Sequence, residues 1–141
     1  MKIKILIPIY NDWQSASKLL DEIDNNISDL DHEISVIIVN DASTHDRQEE
    51  QKDFTNIHSI KVLNMKINQG HARCIATGLK YIFEKEDFDK EIQFVTGDEW
   101  KAGNLSYHLK SRPKWEGFNN KEILNNSSQF ICVGDVCLGR Y

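Results

Sequence analysis

Apolar residues fall in two rhythms along this chain. Three runs are nearly continuous: Ile3, Ile5, Leu6, Ile7 and Ile9; Ile34, Val36, Ile37, Ile38 and Val39; and Ile60 to Met65. Unbroken, β-branched runs of this length suit strands buried on both faces. Between them the spacing changes to threes and fours, in Ala16, Leu19, Leu20 and Ile23, and again in Cys74, Ile75, Gly78, Leu79, Ile82 and Phe83. That is the period of a helix with one apolar face. The pattern predicts a strand over Lys2 to Ile9, with Pro8 near its end because it lacks an N–H. A helix follows from a Ser15 cap to about Asn26, then a strand over Glu33 to Asn40. Residues 47–56 are polar, with room for a short helix. A third strand is predicted over Ile60 to Met65, a helix from His71 to about Glu84, a turn at Asp87 to Lys90, and a weaker strand over Glu91 to Val95. Beyond Val95 the rhythm fades. Trp100 to Trp115 has no period, Asn119 to Ser128 is turn-rich, and Phe130 to Leu138 reads as a last strand with Gly134-Asp135 as a bulge or turn.

Strands alternating with helices predict an α/β fold: a Rossmann-like, mostly parallel sheet with helices on both faces. Sheets of this kind bind ligands beyond the carboxyl ends of their strands. Three polar stretches fall there: Tyr10-Asn11, Asp41 to Asp46, and Asn68 to Arg73. The last sits at a strand-to-helix turn, where Asn68 and Gly70 tolerate positive φ. His71 and Arg73 then fall in the first helical turn, among free backbone N–H groups that attract an anion. An Arg there opposes the helix dipole and calls for a counter-ion, and its forked donors suit a phosphate. An Asp ending a strand can accept from a pyrimidine N–H or a ribose hydroxyl, and an aromatic ring in the first loop can lie against a base. Together these form the layout of a nucleotide-diphosphate site. The plainer alternative has Tyr10 packing on the sheet edge, Asp41 capping a turn and Arg73 merely solvated.

Composition narrows the classes. A length of 141 residues suits one domain with a sizeable core, and a net charge of −5 argues against a general nucleic-acid binder. No run approaches the roughly 20 apolar residues of a membrane span. Three cysteines, Cys74, Cys132 and Cys137, are an odd number without a CxxC pair, which favours a reducing, cytoplasmic setting with buried thiols over a disulfide framework. His32, His45, His58 and His108 lack metal-ligand spacing, and neither a P-loop nor a GxGxxG motif occurs.

The segments Ile7-Pro8-Ile9-Tyr10-Asn11, Val39-Asn40-Asp41-Ala42-Ser43-Thr44 and Asn68 to Gly78 agree in order and spacing with one family. Residues 3 to about 95 resemble the N-terminal, nucleotide-sugar-binding half of glycosyltransferase family 2, inverting enzymes of the GT-A fold. The form Gly70-His71-x-Arg73-x-Ile75-Ala76-x-Gly78-Leu79 is close to members acting on lipid-linked or polysaccharide sugars. The resemblance implies that Pro8, Tyr10, Asn11, Asp41 and Ser43 surround the nucleotide base. It also implies that Asn68 and Gly70, with His71 and Arg73, lie near the ribose and diphosphate. The implied partner is a nucleotide-diphosphate sugar, with a uridine diphosphate sugar favoured.

Family members follow the fourth strand with an Asp-x-Asp pair that holds Mg2+ or Mn2+ on the diphosphate. Here Thr96-Gly97-Asp98-Glu99 follows it. In one register Asp98 is the surviving metal carboxylate. In the other, Thr96-Gly97 and Gly103-Asn104-Leu105-Ser106 match a block downstream of the metal pair, and the metal loop and catalytic-base segment are missing. The second is preferred, since it also accounts for the short chain. The expectation is one domain over 1–141, with a nucleotide-binding half over 1–95 and a shortened, incomplete half over 96–141. No catalytic base is assigned; Glu99, Glu116, Glu122 and Asp135 are the other acidic candidates. Two functions remain open: a family 2 glycosyltransferase, inverting if active, or a non-catalytic nucleotide- or partner-binding remnant.

Overall fold

The computed structural model describes residues 2–45, 52–85, 92–98, 101, 102, 107, 112–117, 123, 127, 129–133 and 136–140. Its strands and helices run β1 (Lys2–Ile9), α1 (Trp13–Asn26), β2 (Glu33–Asn40), β3 (Ser59–Asn64), α2 (His71–Lys85), β4 (Phe94–Thr96), β5 (Lys114–Trp115), β6 (Gln129–Val133) and β7 (Val136–Arg140). They form one seven-stranded sheet in the order β3-β2-β1-β6-β7-β4-β5. β3, β2, β1 and β6 are mutually parallel, β7 is antiparallel to both β6 and β4, and β5 is parallel to β4. The sheet is therefore mostly parallel and Rossmann-like, with a helix on each face.

The continuous apolar runs are explained by this double cover. Along β2, Ile37 and Val39 pack with Leu6, Cys74 and Ile82 under α2. Their neighbours Val36 and Ile38 pack with Ile9, Ala16 and Leu20 under α1. Successive side chains point to opposite faces, so a strand covered twice needs an apolar residue at every position. α2 comes unusually close to the sheet at Gly78, where an added Cβ would lie 2.3 Å from a Leu6 methyl and 2.9 Å from a Val39 methyl. A third cluster of Ile92, Val95, Ala102, Val136 and Leu138 joins the far half of the sheet to Leu79 and Phe83 of α2.

Several expectations are corrected. α1 starts at Trp13, and its cap is Asp12, whose Oδ1 accepts from the Ser15 N–H at 3.4 Å, so Ser15 supplies the donor instead of the cap. The last strand is a hairpin of two strands, β6 and β7, about residues 134 and 135, which lie outside the described residues, as do 46–51 and 86–91. Cys132 and Cys137 face each other across that hairpin and are joined as a disulfide, in place of two buried thiols. Only Cys74 is free, and it is buried. Among the described residues no helix is long and apolar enough to cross a membrane.

Strand order has a direct consequence for the site. β4 is not β1's neighbour: β6 and β7 stand between them. At about 4.8 Å per strand, the end of β4 lies about 14 Å along the sheet edge from the end of β1. Both ends face the same edge, because two reversals of direction separate β4 from β6.

Candidate functional site

The loops after β1, β2 and β3 are tied together by side chains drawn from the predicted motifs. Asn11, in the left-handed region at φ 52°, links the first two. Its backbone N–H donates to Ser43 Oγ at 2.8 Å, and its Oδ1 accepts from the N–H groups of Thr44 at 2.8 Å and His45 at 3.2 Å. Its Nδ2 donates to Thr44 Oγ1 at 3.2 Å. Trp13 adds a bond from Nε1 to the His45 carbonyl. Asn is suited to this position because it tolerates positive φ and its amide carries both donor and acceptor.

Asp41 joins all three loops. Its N–H donates to the Ile9 carbonyl at 2.9 Å. Its Oδ1 accepts from Gln69 N–H and its Oδ2 from Gly70 N–H, each at 2.8 Å. The residue is only 4% exposed, so these bonds neutralise much of the cost of burying a carboxylate. Gly70 sits at φ 88°, where a side chain is disfavoured, and its carbonyl accepts the first helical bond, from Cys74 N–H. Below, Asn40 Nδ2 donates to Asn64 Oδ1 at 2.9 Å, and its Oδ1 accepts from Ser43 N–H at 3.0 Å.

Of the predicted residues, Asn11, Asp41, Ser43 and Gly70 are thus brought together, with Pro8 half-buried as the last residue but one of β1. Tyr10 is 50% exposed at the rim. Asn68, His71 and Arg73 are exposed on the third loop and the first turn of α2, with Arg73 donating to Gln69 Oε1 at 3.3 Å. Asp98 is not part of this cluster. It follows β4, three strand positions away, and caps the turn after it: Oδ1 accepts from Lys101 N–H at 3.0 Å and its carbonyl accepts from Ala102 N–H at 2.8 Å. Glu116 pairs with Lys114 at 3.0 Å, and Trp115 donates from Nε1 to the Gly97 carbonyl at 3.3 Å. Glu99, Trp100, Glu122 and Asp135 lie outside the described residues.

Further residues of the cluster were given no site role by the sequence reading. Asn40, Thr44 and Gln69 lie inside the family-like segments, His45 follows one and Asn64 ends β3; they take part through bonds to residues far away in the chain. Cys74 lies beneath Asp41: burial pushes its thiol pKa up, and the Asp41 charge and a hydrogen bond to that carboxylate push it further. Its sulfur lies 3.7 Å from the Val39 carbonyl, to which a neutral S–H can donate, and 3.4 Å from Met65 Sδ.

A family model described as Glycosyl transferase family 2 matches residues 4–100. The chain belongs to that family. The match ends just past β4, so it takes in the three tied loops and Asp98. A dolichol-phosphate mannosyltransferase of Pyrococcus furiosus is 28% identical over 80 residues. That stretch is 57% of this chain and 22% of the relative, so the chain is compared with a small part of that protein. No solved structure gives a significant match. In this family 2 member the motif residues Asn11, Asp41 and Ser43 hold the loops to one another, with Tyr10, Asn68, His71 and Arg73 exposed around them.

Proposed function

We propose that this family 2 domain binds a nucleotide-diphosphate sugar, uridine diphosphate sugars first, at the edge formed by its three tied loops. The observation that carries this is Asp41 accepting from both Gln69 and Gly70, which fixes the start of α2 beside the end of β1. In this reading the base lies on Tyr10 over Asp41, whose unused lone pairs accept from the base. Asn11 and Ser43 keep the first two loops in place. Asn68 and Gly70 meet the ribose, and His71 and Arg73 meet the diphosphate at the helix N-terminus. We place this binding in the cytoplasm, with any glycosyl transfer inverting the anomeric centre.

The described donor set does not by itself fit a divalent cation. No group of three or more His, Cys, Asp or Glu side chains comes together among the described residues, and one oxygen of Asp98 already accepts from a backbone N–H. Mg2+ can be held by one carboxylate plus substrate phosphates, so Asp98 is its candidate ligand only in company with a bound diphosphate. A second reading, binding without metal-assisted transfer, is favoured by the seat of β4 three strands from β1.

Arg73→Gln tests the diphosphate assignment. It is expected to weaken uridine diphosphate about tenfold, about 1.4 kcal/mol, and to leave uridine unchanged. Equal effects on both ligands would remove Arg73 from the site. Metal separates the two readings: tighter binding in Mn2+ that Asp98→Asn abolishes supports the transferase, and binding indifferent to Mn2+ supports the second.

A further inference from the structure

The hairpin of β6 and β7 splices the sheet. On one side β6 pairs with β1, and on the other β7 pairs with β4, so among the described residues the strands β4 and β5 connect to β1, β2 and β3 within the sheet through this hairpin. The disulfide sits in the middle of that splice. Ile5 is in register with Cys132, Cys132 with Cys137, and Cys137 with Thr96, so one row of residues crosses four strands with the S–S bond at its centre. Ile131 and Leu138, the facing pair beside it, are buried at 0% and 1% exposure. Side chains alternate, so the two cysteines lie on the opposite face, and both are half-buried, with part of each residue open to solvent. A dithiol in solution can therefore reach the bond. Cys74, the free thiol, is 1% exposed under α2 and has no route to exchange with it.

We infer that the Cys132–Cys137 disulfide is a redox-sensitive latch that governs the order of the β4–β5 half of the sheet and leaves the three-loop half unaffected. The step is thiol–disulfide exchange. A dithiol attacks one sulfur, the S–S bond breaks, and the second thiol of the reductant closes its own disulfide. The protein gains two electrons and two protons as Cys132 and Cys137 become thiols. The bonds of Asn11, Asp41 and Asn40 that tie the first three loops involve neither cysteine nor any residue of the hairpin. The latch therefore acts on the hairpin and, through β7, on β4 and its Asp98 turn, and the inference does not depend on the ligand proposed above.

The test starts from protein equilibrated in a glutathione redox buffer, quenched and denatured. One reactive thiol per chain is expected, Cys74, rising to three after dithiothreitol; three from the start in oxidising buffer would overturn the latch. Amide hydrogen exchange is then compared in oxidised and dithiothreitol-reduced protein. Exchange in β4 and β7 is expected to rise about tenfold or more on reduction, with β1, β2 and β3 unchanged. Equal exchange in β4 in both states, or loss of protection throughout the sheet, would overturn it. The double variant Cys132→Ser/Cys137→Ser should show the reduced pattern and no response to dithiothreitol; a response to dithiothreitol in that variant would also overturn it.

Discussion

Replacing Asp41 with Asn changes one atom and tests what holds the candidate site together. The two residues have nearly the same shape, so no cavity forms. In the native protein both carboxylate oxygens accept from backbone N–H groups at 2.8 Å. Asn keeps one acceptor and turns an NH2 toward the other N–H, setting donor against donor at a site only 4% exposed. Hydrogen bonds to a charged group contribute about 1.5–3 kcal/mol each, and a buried donor left without a partner costs about 1–3 kcal/mol. The expected loss is about 2–4 kcal/mol, large against the stability of a domain this size. Urea unfolding followed by circular dichroism gives the answer, with the midpoint falling by about 1–2 M and the slope unchanged. A midpoint within experimental error of wild type would refute the assignment of Asp41 as the tie between the loops. Asp98→Asn is the internal comparison: it touches one partly exposed amide and is expected to cost under about 1 kcal/mol.

The remaining predictions concern packing, acid stability and the rim. Gly78→Val should destabilise by about 1–3 kcal/mol, because its Cβ meets Leu6 and Val39 where both are buried; an unchanged thermal midpoint would show that α2 stands further off the sheet. Asp24 accepts from the N–H groups of Thr55, Asn56 and Ile57. Burial raises its pKa, but the bonds from Ile57, Asn56 and Thr55 outweigh it and hold the carboxyl below its ordinary value. A lowered folded-state pKa gives stability that is present above the unfolded value and lost as pH falls through the folded one. Asp24→Asn should therefore be less stable than wild type at neutral pH, with the gap narrowing below about pH 4; a constant gap in urea midpoints would count against the lowered pKa.

Legibility in the sequence followed the range of the interactions. β2 was read to the residue, since a β-branched run buried on both faces fixes a strand locally. α2 was one residue short, and the start of α1 slipped because Asp12 and Ser15 are both good caps less than one helical turn apart. The hairpin of β6 and β7 was read as one strand because five-residue strands with a short connection leave little periodicity. Its insertion between β1 and β4 was invisible, since pairing across about 130 residues leaves no local mark. The same holds for Cys132 and Cys137: an odd cysteine count argued against pairing, and only their register across the hairpin brings them together. At the site, the motifs singled out three loops that the structure ties together. They did not reveal that Asn11 and Asp41 bond first to neighbouring loops, because those partners lie about 30 residues away.

The most direct test of the account is calorimetric titration of uridine diphosphate into the wild-type chain and into Tyr10→Ala. Tyr10 is half-exposed at the rim, so its removal should leave the urea midpoint unchanged. The account predicts one site per chain, with binding weakened about tenfold by the substitution, near the 1–3 kcal/mol that stacking on an aromatic ring provides. No binding by the wild-type chain, or equal binding by both proteins, would contradict a nucleotide site at the three tied loops.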